Sequence, residues 1–358
     1  MYCQTTVEES IIHDGIQRDY TLYFPASYEQ NSEDYALIFN FHGFTSNGAQ
    51  QRLYSRMDLV SDTAQVVMCY PEGIDAAWNV GWNFGSMEDD VGFTAAMIDK
   101  FVAEHRINSK KVYACGMSNG GFFSYKLACE LNDKIAAVAS VTGSLVPGQD
   151  AACNPGRAVP VLEIHGTADA VVPYEGSTGV AMPIEDVVQF WVDKNACDDD
   201  PDIIDIPNTS LTDESTASIF RYNTCESDTE VQFIKIENGG HTWPDALLDI
   251  GVTNRDFNAS QYIWEFFSQF TLPTVSSTQE EDLDVFSKIQ LYPNPSSGSI
   301  NISHLPINST IELYRVDGSF INRRLSTSTT EAFDLERGVY IISVGNQKTK
   351  TQFFTIIE

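Results

Sequence analysis

Cys115-Gly116-Met117-Ser118-Asn119-Gly120-Gly121 is the stretch on which the fold turns. An apolar run of β type, residues 111–114, leads into it, and a helix-forming run, residues 122–131, leads out. Strand, sharp turn and helix are the setting in which G-x-S-x-G has a physical meaning. The serine sits on a strained backbone, and glycines two residues to either side let the chain close on itself. Such a turn lifts the Ser118 hydroxyl to the top of a sheet and aims the Asn119 N–H at whatever the hydroxyl attacks. The alternative is a tight glycine turn with an idle serine.

The flanking sequence supplies the sheet. Residues 5–11 and 18–24 alternate apolar and polar side chains around His13-Asp14-Gly15, which predicts an antiparallel hairpin. Residues 36–41 and 65–70 are near-continuous apolar runs, as in strands buried on both faces, with a helix expected over 51–64. Asp89-Asp90 reads as the cap of a helix whose Val91, Ala95, Ile98, Val102 and His105 share a stripe. Residues 135–141, 159–164 and 231–236 read as further buried strands, and 184–195 and 261–270 as helices. Two antiparallel strands followed by strand–helix alternation predict an α/β protein with a mostly parallel, doubly wound sheet. Residues 142–159 have room for one crossover and no large lid, so the site should be open.

After that the pattern changes. Residues 271–287 are polar and acidic and read as a linker. Short alternating runs at 299–303, 310–315, 339–344 and 351–357 follow, separated by Pro293-Asn294-Pro295, Asp317-Gly318 and Arg337-Gly338. They predict a small all-β sandwich over 288–358 with no chemistry visible in it. The expected organisation is therefore 1–270, a linker at 271–287, and 288–358.

The net charge is −29, with only −3 on residues 273–358 and the remaining −26 on residues 1–272. This argues against nucleic acid and anionic membranes as partners and favours a sparsely charged substrate. No apolar run approaches the ~20 residues of a membrane span. Met1-Tyr2-Cys3-Gln4 has no basic and then apolar character, so a signal peptide is expected to be absent or already removed. Seven cysteines are too few for a disulfide scaffold, and none has zinc spacing. Cys69 and Cys115 lie in apolar strands. Cys197 and Cys225 bracket an acidic, turn-rich loop and Cys129 and Cys153 another connection, and each pair reads as a staple of an oxidising compartment. Four cysteines allow three pairings, and Cys3 is left over.

A serine hydroxyl needs a base within reach and a carboxylate to orient that base. On a doubly wound sheet these come from loops at the carboxyl ends of strands, in the hydrolase order serine, acid, histidine. His165, His241 and His304 follow Ser118, and His304 falls in the sandwich. His241, on the loop Asn238-Gly239-Gly240-His241-Thr242-Trp243-Pro244, is the candidate base; its alternative is a loop-packing role. Asp169, in His165-Gly166-Thr167-Ala168-Asp169, is the candidate acid, with an Asx-turn residue as alternative. His165 reads as a structural residue beside it. The backbone N–H groups of Asn119 and Phe44 are candidate oxyanion donors, and His42 a structural residue of the Phe44 turn. Trp78, Trp82 and Trp243, with Phe44, could wall an acyl pocket or be ordinary packing. Asp89 and Asp90 read as helix caps rather than catalytic acids.

Residues 5–270 resemble the α/β-hydrolase group of feruloyl and acetylxylan esterases (carbohydrate esterase family 1) and polyhydroxybutyrate depolymerases. The likeness is carried by Phe41-His42-Gly43-Phe44, Tyr70-Pro71-Glu72-Gly73, Trp78-Asn79, Asp89-Asp90-Val91-Gly92-Phe93, Gly116–Gly121, His165-Gly166-Thr167-Ala168-Asp169 and Gly240-His241-Thr242-Trp243-Pro244. It implies an α/β-hydrolase fold with Ser118, Asp169 and His241 as nucleophile, acid and base. Many relatives carry a cysteine pair after Trp-Asn where this chain reads Val80-Gly81-Trp82-Asn83, so the acyl pocket is its own. Residues 288–358 resemble the C-terminal sorting domain of type IX secretion, through Leu291-Tyr292-Pro293-Asn294-Pro295, Gly298, Ile311-Glu312-Leu313-Tyr314, Asp317-Gly318 and Leu335-Glu336-Arg337-Gly338-Val339-Tyr340. That implies export across a Gram-negative outer membrane.

The expectation is a secreted, monomeric serine esterase without metal or cofactor, acting on feruloyl or acetyl esters of plant polysaccharide. A polyester hydrolase is the rival within the class, and a non-catalytic binding protein on a hydrolase scaffold the rival outside it.

Overall fold

The computed structural model describes residues 4–273, 289–305, 307–316, 319–345 and 350–357. Cys3, the Asp317-Gly318 turn and residues 274–287 of the expected linker lie outside the described residues. The chain divides into two compact units, Met1–Leu272 and Pro273–Glu358.

The first unit opens with the hairpin β1 (Thr5–His13) and β2 (Ile16–Phe24). Then come β3 (Tyr35–Phe41), α1 (Gly48–Ser55), α2 (Asp58–Thr63) and β4 (Val66–Pro71). Helix α3 (Asp90–Glu104) precedes β5 (Ile107–Met117), α4 (Asn119–Glu130) and β6 (Ala137–Val141). A short α5 (Gln149–Ala152), β7 (Val161–Gly166) and α6 (Ile184–Lys194) follow. The unit closes with β8 (Asp202–Asp205), β9 (Thr216–Tyr222), β10 (Val231–Glu237) and α7 (Ala259–Phe267).

These strands make one ten-stranded sheet in the order β1-β2-β4-β3-β5-β6-β7-β10-β9-β8. The six central strands, β4 to β10 in that order, are parallel, and an antiparallel pair flanks each side. One face packs on α3, α4 and α6 through Phe93, Phe101, Phe123, Leu127, Val188 and Trp191. The other packs on α7 and the α1–α2 corner through Met57, Ile263, Phe266 and Phe267. Burial on both faces is why β4 is apolar along its whole length and β3 at every position but Asn40, whose side chain is hydrogen-bonded to Ser55 and Gln51.

Three expectations shift. The helix expected over 51–64 is two helices, broken where Arg56 takes a left-handed φ of 56°. The buried face of α3 runs through Phe93, Met97, Ile98 and Phe101, leaving Val91, Ala95 and Val102 at its margin. The acidic loop between Cys197 and Cys225 holds β8 and β9, whose pairing completes the sheet edge. Disulfides join Cys129 to Cys153 and Cys197 to Cys225, while Cys69 and Cys115 are buried thiols.

Among its described residues the second unit contains seven strands: β11 (Gln290–Tyr292), β12 (Ser299–Ser303), β13 (Thr310–Arg315), β14 (Phe320–Leu325), β15 (Thr330–Asp334), β16 (Gly338–Gly345) and β17 (Lys350–Ile357). They form antiparallel sheets β11-β12-β15 and β14-β13-β16-β17, which share a core of Ile300, Ile302, Phe333, Leu313, Ile342 and Val344. Among the described residues no helix is long and apolar enough to cross a membrane.

Candidate active site

Strand β5 runs straight into Ser118, whose φ of 54° and ψ of −122° leave every region an L-residue favours. The turn closes because its glycines have no side chains. A Cβ on Gly120 would stand 2.2 Å from the Phe41 carbonyl oxygen, and one on Gly116 2.5 Å from the backbone of Gly120. The Ser118 N–H bonds to the Val141 carbonyl at 2.9 Å, which ties the elbow to β6. Helix α4 begins at Asn119, so its positive dipole end lies beside the serine.

Gly43 closes the neighbouring turn against the elbow: a Cβ there would be 3.4 Å from Ser118 Cβ. His42 braces that turn. Its Nδ1–H donates to the Gly43 carbonyl at 2.8 Å, and its Nε2 accepts the Gly73 N–H at 3.0 Å. Burial pulls this imidazole down to about 4, the Gly43 bond opposing only part of the effect. It is a neutral, structural histidine.

His241 follows β10 on its glycine loop, and its Nδ1 donates to Asp169 Oδ2 at 2.7 Å. Asp169 leaves β7 and is buried; its Oδ1 accepts the N–H groups of Val171 and Val172 at 2.8 and 2.9 Å. The two loops touch through the Ala168 N–H on the Gly239 carbonyl, where a Cβ on Gly166 would meet Gly239 at 2.2 Å. The bonds on Asp169 Oδ1 form the Asx-type turn anticipated as its alternative role. Orienting His241 and shaping the turn are done by different oxygens of one carboxylate.

Ser118 and His241 line one open cavity of about 710 Å³, together with Phe44, Tyr54 and Met117. Its rim is apolar: Leu53, Val171, Leu247, Leu248 and Ile250 are all more than half exposed. None of the described residues lining it is Asp, Glu, Lys or Arg. The segment Leu247–Ile250 carries neither the helical nor the strand period; its signal in the sequence is three large apolar residues in a turn-rich loop.

The tryptophans need correcting. Trp78 and Trp243 are each 1% exposed and belong to the core rather than to a pocket wall. Trp78 donates from its indole to the His42 carbonyl and packs on Phe41 and Phe123; Trp243 donates to Ser260 Oγ. Trp82 is half-buried, bonded to the Val180 carbonyl and stacked on Phe84, whose ring meets Phe44 edge-on. Of the four aromatic candidates, Phe44 alone lines the cavity.

Asn119 does more than the sequence suggested. Its side-chain oxygen accepts the Trp78 N–H at 2.6 Å, and its amide donates to the Trp78 carbonyl at 3.1 Å, clamping loop 74–88 to the elbow. Asp89 caps α3 by accepting the Gly92 N–H. Asp90 is no cap: it is buried, pairs with Arg18 at 2.5 Å, and accepts from the Asn79 N–H and Ser86 Oγ.

The esterase PHB depolymerase family matches residues 18–180, and the secretion system C-terminal sorting domain matches residues 290–358. The bifunctional acetylxylan esterase/xylanase XynS20E of Neocallimastix patriciarum is 26% identical over 75% of this chain. Feruloyl esterase B of Piromyces equi is 25% identical over 66% of it, and feruloyl esterase C of Emericella nidulans 27% over 70%. The chain spans about a third of the length of XynS20E and 42% of feruloyl esterase B, but 83% of feruloyl esterase C. The acetyl xylan esterase of Aspergillus awamori shares the fold at a TM-score of 0.54 and 14% identity, over 74% of this chain and 99% of that one. The protein thus joins a unit with the fold of that acetyl xylan esterase, similar in sequence to feruloyl and acetylxylan esterases and matched over residues 18–180 by the esterase PHB depolymerase family, to a unit similar to the secretion system C-terminal sorting domain.

Proposed function

We propose that this is a secreted serine esterase that hydrolyses carboxylic esters in or on a polymer. Ser118 attacks the ester carbonyl while His241 takes its proton, and Asp169 holds the imidazole by Nδ1. The Asn119 and Phe44 N–H groups receive the oxyanion. Collapse of the tetrahedral intermediate expels the alcohol, protonated by His241, and leaves an acyl group on Ser118. Water activated by the same histidine then releases the acid. The observation that carries this reading is the joining of a strained Ser118 elbow and a 2.7 Å His241–Asp169 bond at one cavity. Ser118→Ala should lower turnover of a short-chain aryl ester by at least about a thousandfold and abolish labelling by a fluorophosphonate. Ordinary turnover by that variant would remove Ser118 from the mechanism.

For substrate, the relatives support feruloyl or acetyl esters of plant polysaccharide. The charge-free apolar rim favours a second reading, a polyester hydrolase, because a flat apolar solid can lie on Leu53, Leu247, Leu248 and Ile250. Release of ferulate or acetate from xylan, set beside erosion of a polyester film, separates the two. Residues 290–358 would hand the enzyme to type IX export, in keeping with two disulfides in the catalytic unit.

A further inference from the structure

Behind Asp169 lies a run of buried ionisable groups that the proposed reaction does not use. His165, near the end of β7, is wholly enclosed, and both its ring nitrogens face acceptors. Nδ1 is 3.0 Å from Glu163 Oε1; Nε2 is 2.9 Å from the Val172 carbonyl and 3.5 Å from Asp169 Oδ2. Burial pushes the Glu163 carboxyl up, with the His165 and Tyr125 bonds opposing it; with Glu163 ionised, a neutral imidazole, which has one donor, would turn a lone pair on one of those oxygens, whereas an imidazolium has two donors. Burial opposes the charge, yet the Glu163 and Asp169 carboxylates and the Val172 carbonyl outweigh it and raise His165 above its ordinary value. Glu163 is anchored in turn, its Oε2 accepting from Tyr125 of α4 at 2.6 Å.

Ser140 of β6, opposite Glu163 in the sheet, is also buried there. Tyr174 packs edge-on to the His165 ring, and Lys235 of β10 lies over Tyr174 while pairing with Glu185 and Glu237. His241 reaches the cluster through Asp169. Asp169 Oδ2 therefore stands between two histidines.

We propose that His165, charged and anchored by Glu163, is a positioning residue: it fixes Asp169 Oδ2 in line with His241 Nδ1 and sets a permanent positive charge on that carboxylate's far side. The proposal rests on the Ser118–His241–Asp169 reading. Its chemical consequence is a limit on how strongly Asp169 can hold a proton on His241. A cation 3.5 Å from the same oxygen competes with His241 for it.

His165→Gln removes that cation. Its kcat should fall ten- to roughly a hundredfold with KM changed by no more than about twofold, as expected for a misaligned base. The acid limb of its kcat/KM profile should move to higher pH by about one unit, because protonated His241 gains what His165 no longer takes. Glu163→Gln should move the limb in the same direction, and the double variant should fall short of the sum of the two. Folded variants with lowered thermal stability and an unmoved acid limb would reduce His165 to a structural role and overturn the proposal. A second measurement needs no turnover. In ¹⁵N-labelled Ser118→Ala protein, His165 should read as an imidazolium with both N–H groups across about pH 6–8, and a neutral ring there would overturn the proposal. Should Ser118→Ala prove active, the reaction reading fails while this measurement still decides the charge on His165.

Discussion

At Ser118 the backbone is held at φ 54°, and the glycines around it show what holding it requires. Gly120→Ala would drive a methyl group into the Phe41 carbonyl, a backbone atom that cannot swing aside. We expect it to cost roughly 1–3 kcal/mol in urea unfolding and to lower kcat as the elbow opens. His42 makes a prediction about acid. Its folded value is near 4, against 6.5 for the free imidazole, so the unfolded chain takes up the proton first as pH falls. Its contribution is therefore complete above about 6.5, declines as the pH falls, and is spent near 4, a span of up to about 3 kcal/mol. His42→Gln should flatten the stability–pH curve in that window; an unchanged slope there would contradict the assignment. Single residues offered themselves as candidates where a short motif dictates a type, as with Ser118, Asp169 and His241. They offered nothing where no motif surrounds them. Nothing near Trp78 announces that Asn119 will clamp its backbone, and Glu163 reads as an intrusion in an apolar strand until Tyr125 and His165 are beside it.

Loop 74–88 shows the same limit for a larger piece. Its Trp78 and Trp82 were candidates for an acyl wall, but two buried fastenings turn Trp78 and Ser86 inward: Asn119 on Trp78, and the Arg18–Asp90 pair holding Asn79 and Ser86. Asp90→Asn would strand the Arg18 charge in a wholly buried site, with an expected loss of about 3–5 kcal/mol by denaturant unfolding. Hydrogen exchange at Asn79 should quicken in the same variant. The wall is instead supplied by α1 and by Leu247–Ile250, and only the second of these carries no period to read. Replacing Leu247 and Leu248 together by serine should lower turnover on a polyester film far more than on a soluble ester. Equal losses on both would tie these leucines to the chemistry and not to a surface. Strands β8 and β9 were hidden for a different reason, the acidic and proline-bearing stretch around them masking a short alternation.

The two units have separate cores. The disulfides lie wholly in the first unit and close loops of 24 and 28 residues. By loop entropy each is worth about 3–4 kcal/mol, so reduction should lower the thermal midpoint of that unit and leave the second unit's transition in place. The charge of the whole molecule bears on the cavity in one more way. An ester enters neutral, but each turnover leaves a carboxylate in a cavity with no cationic lining, inside a chain of net charge −29. Host and product then carry the same sign, and the product is expelled by the field that its substrate never felt. Inhibition by the released acid should be weak in dilute buffer and should strengthen as salt screens that field, while the rate on a neutral ester stays nearly constant.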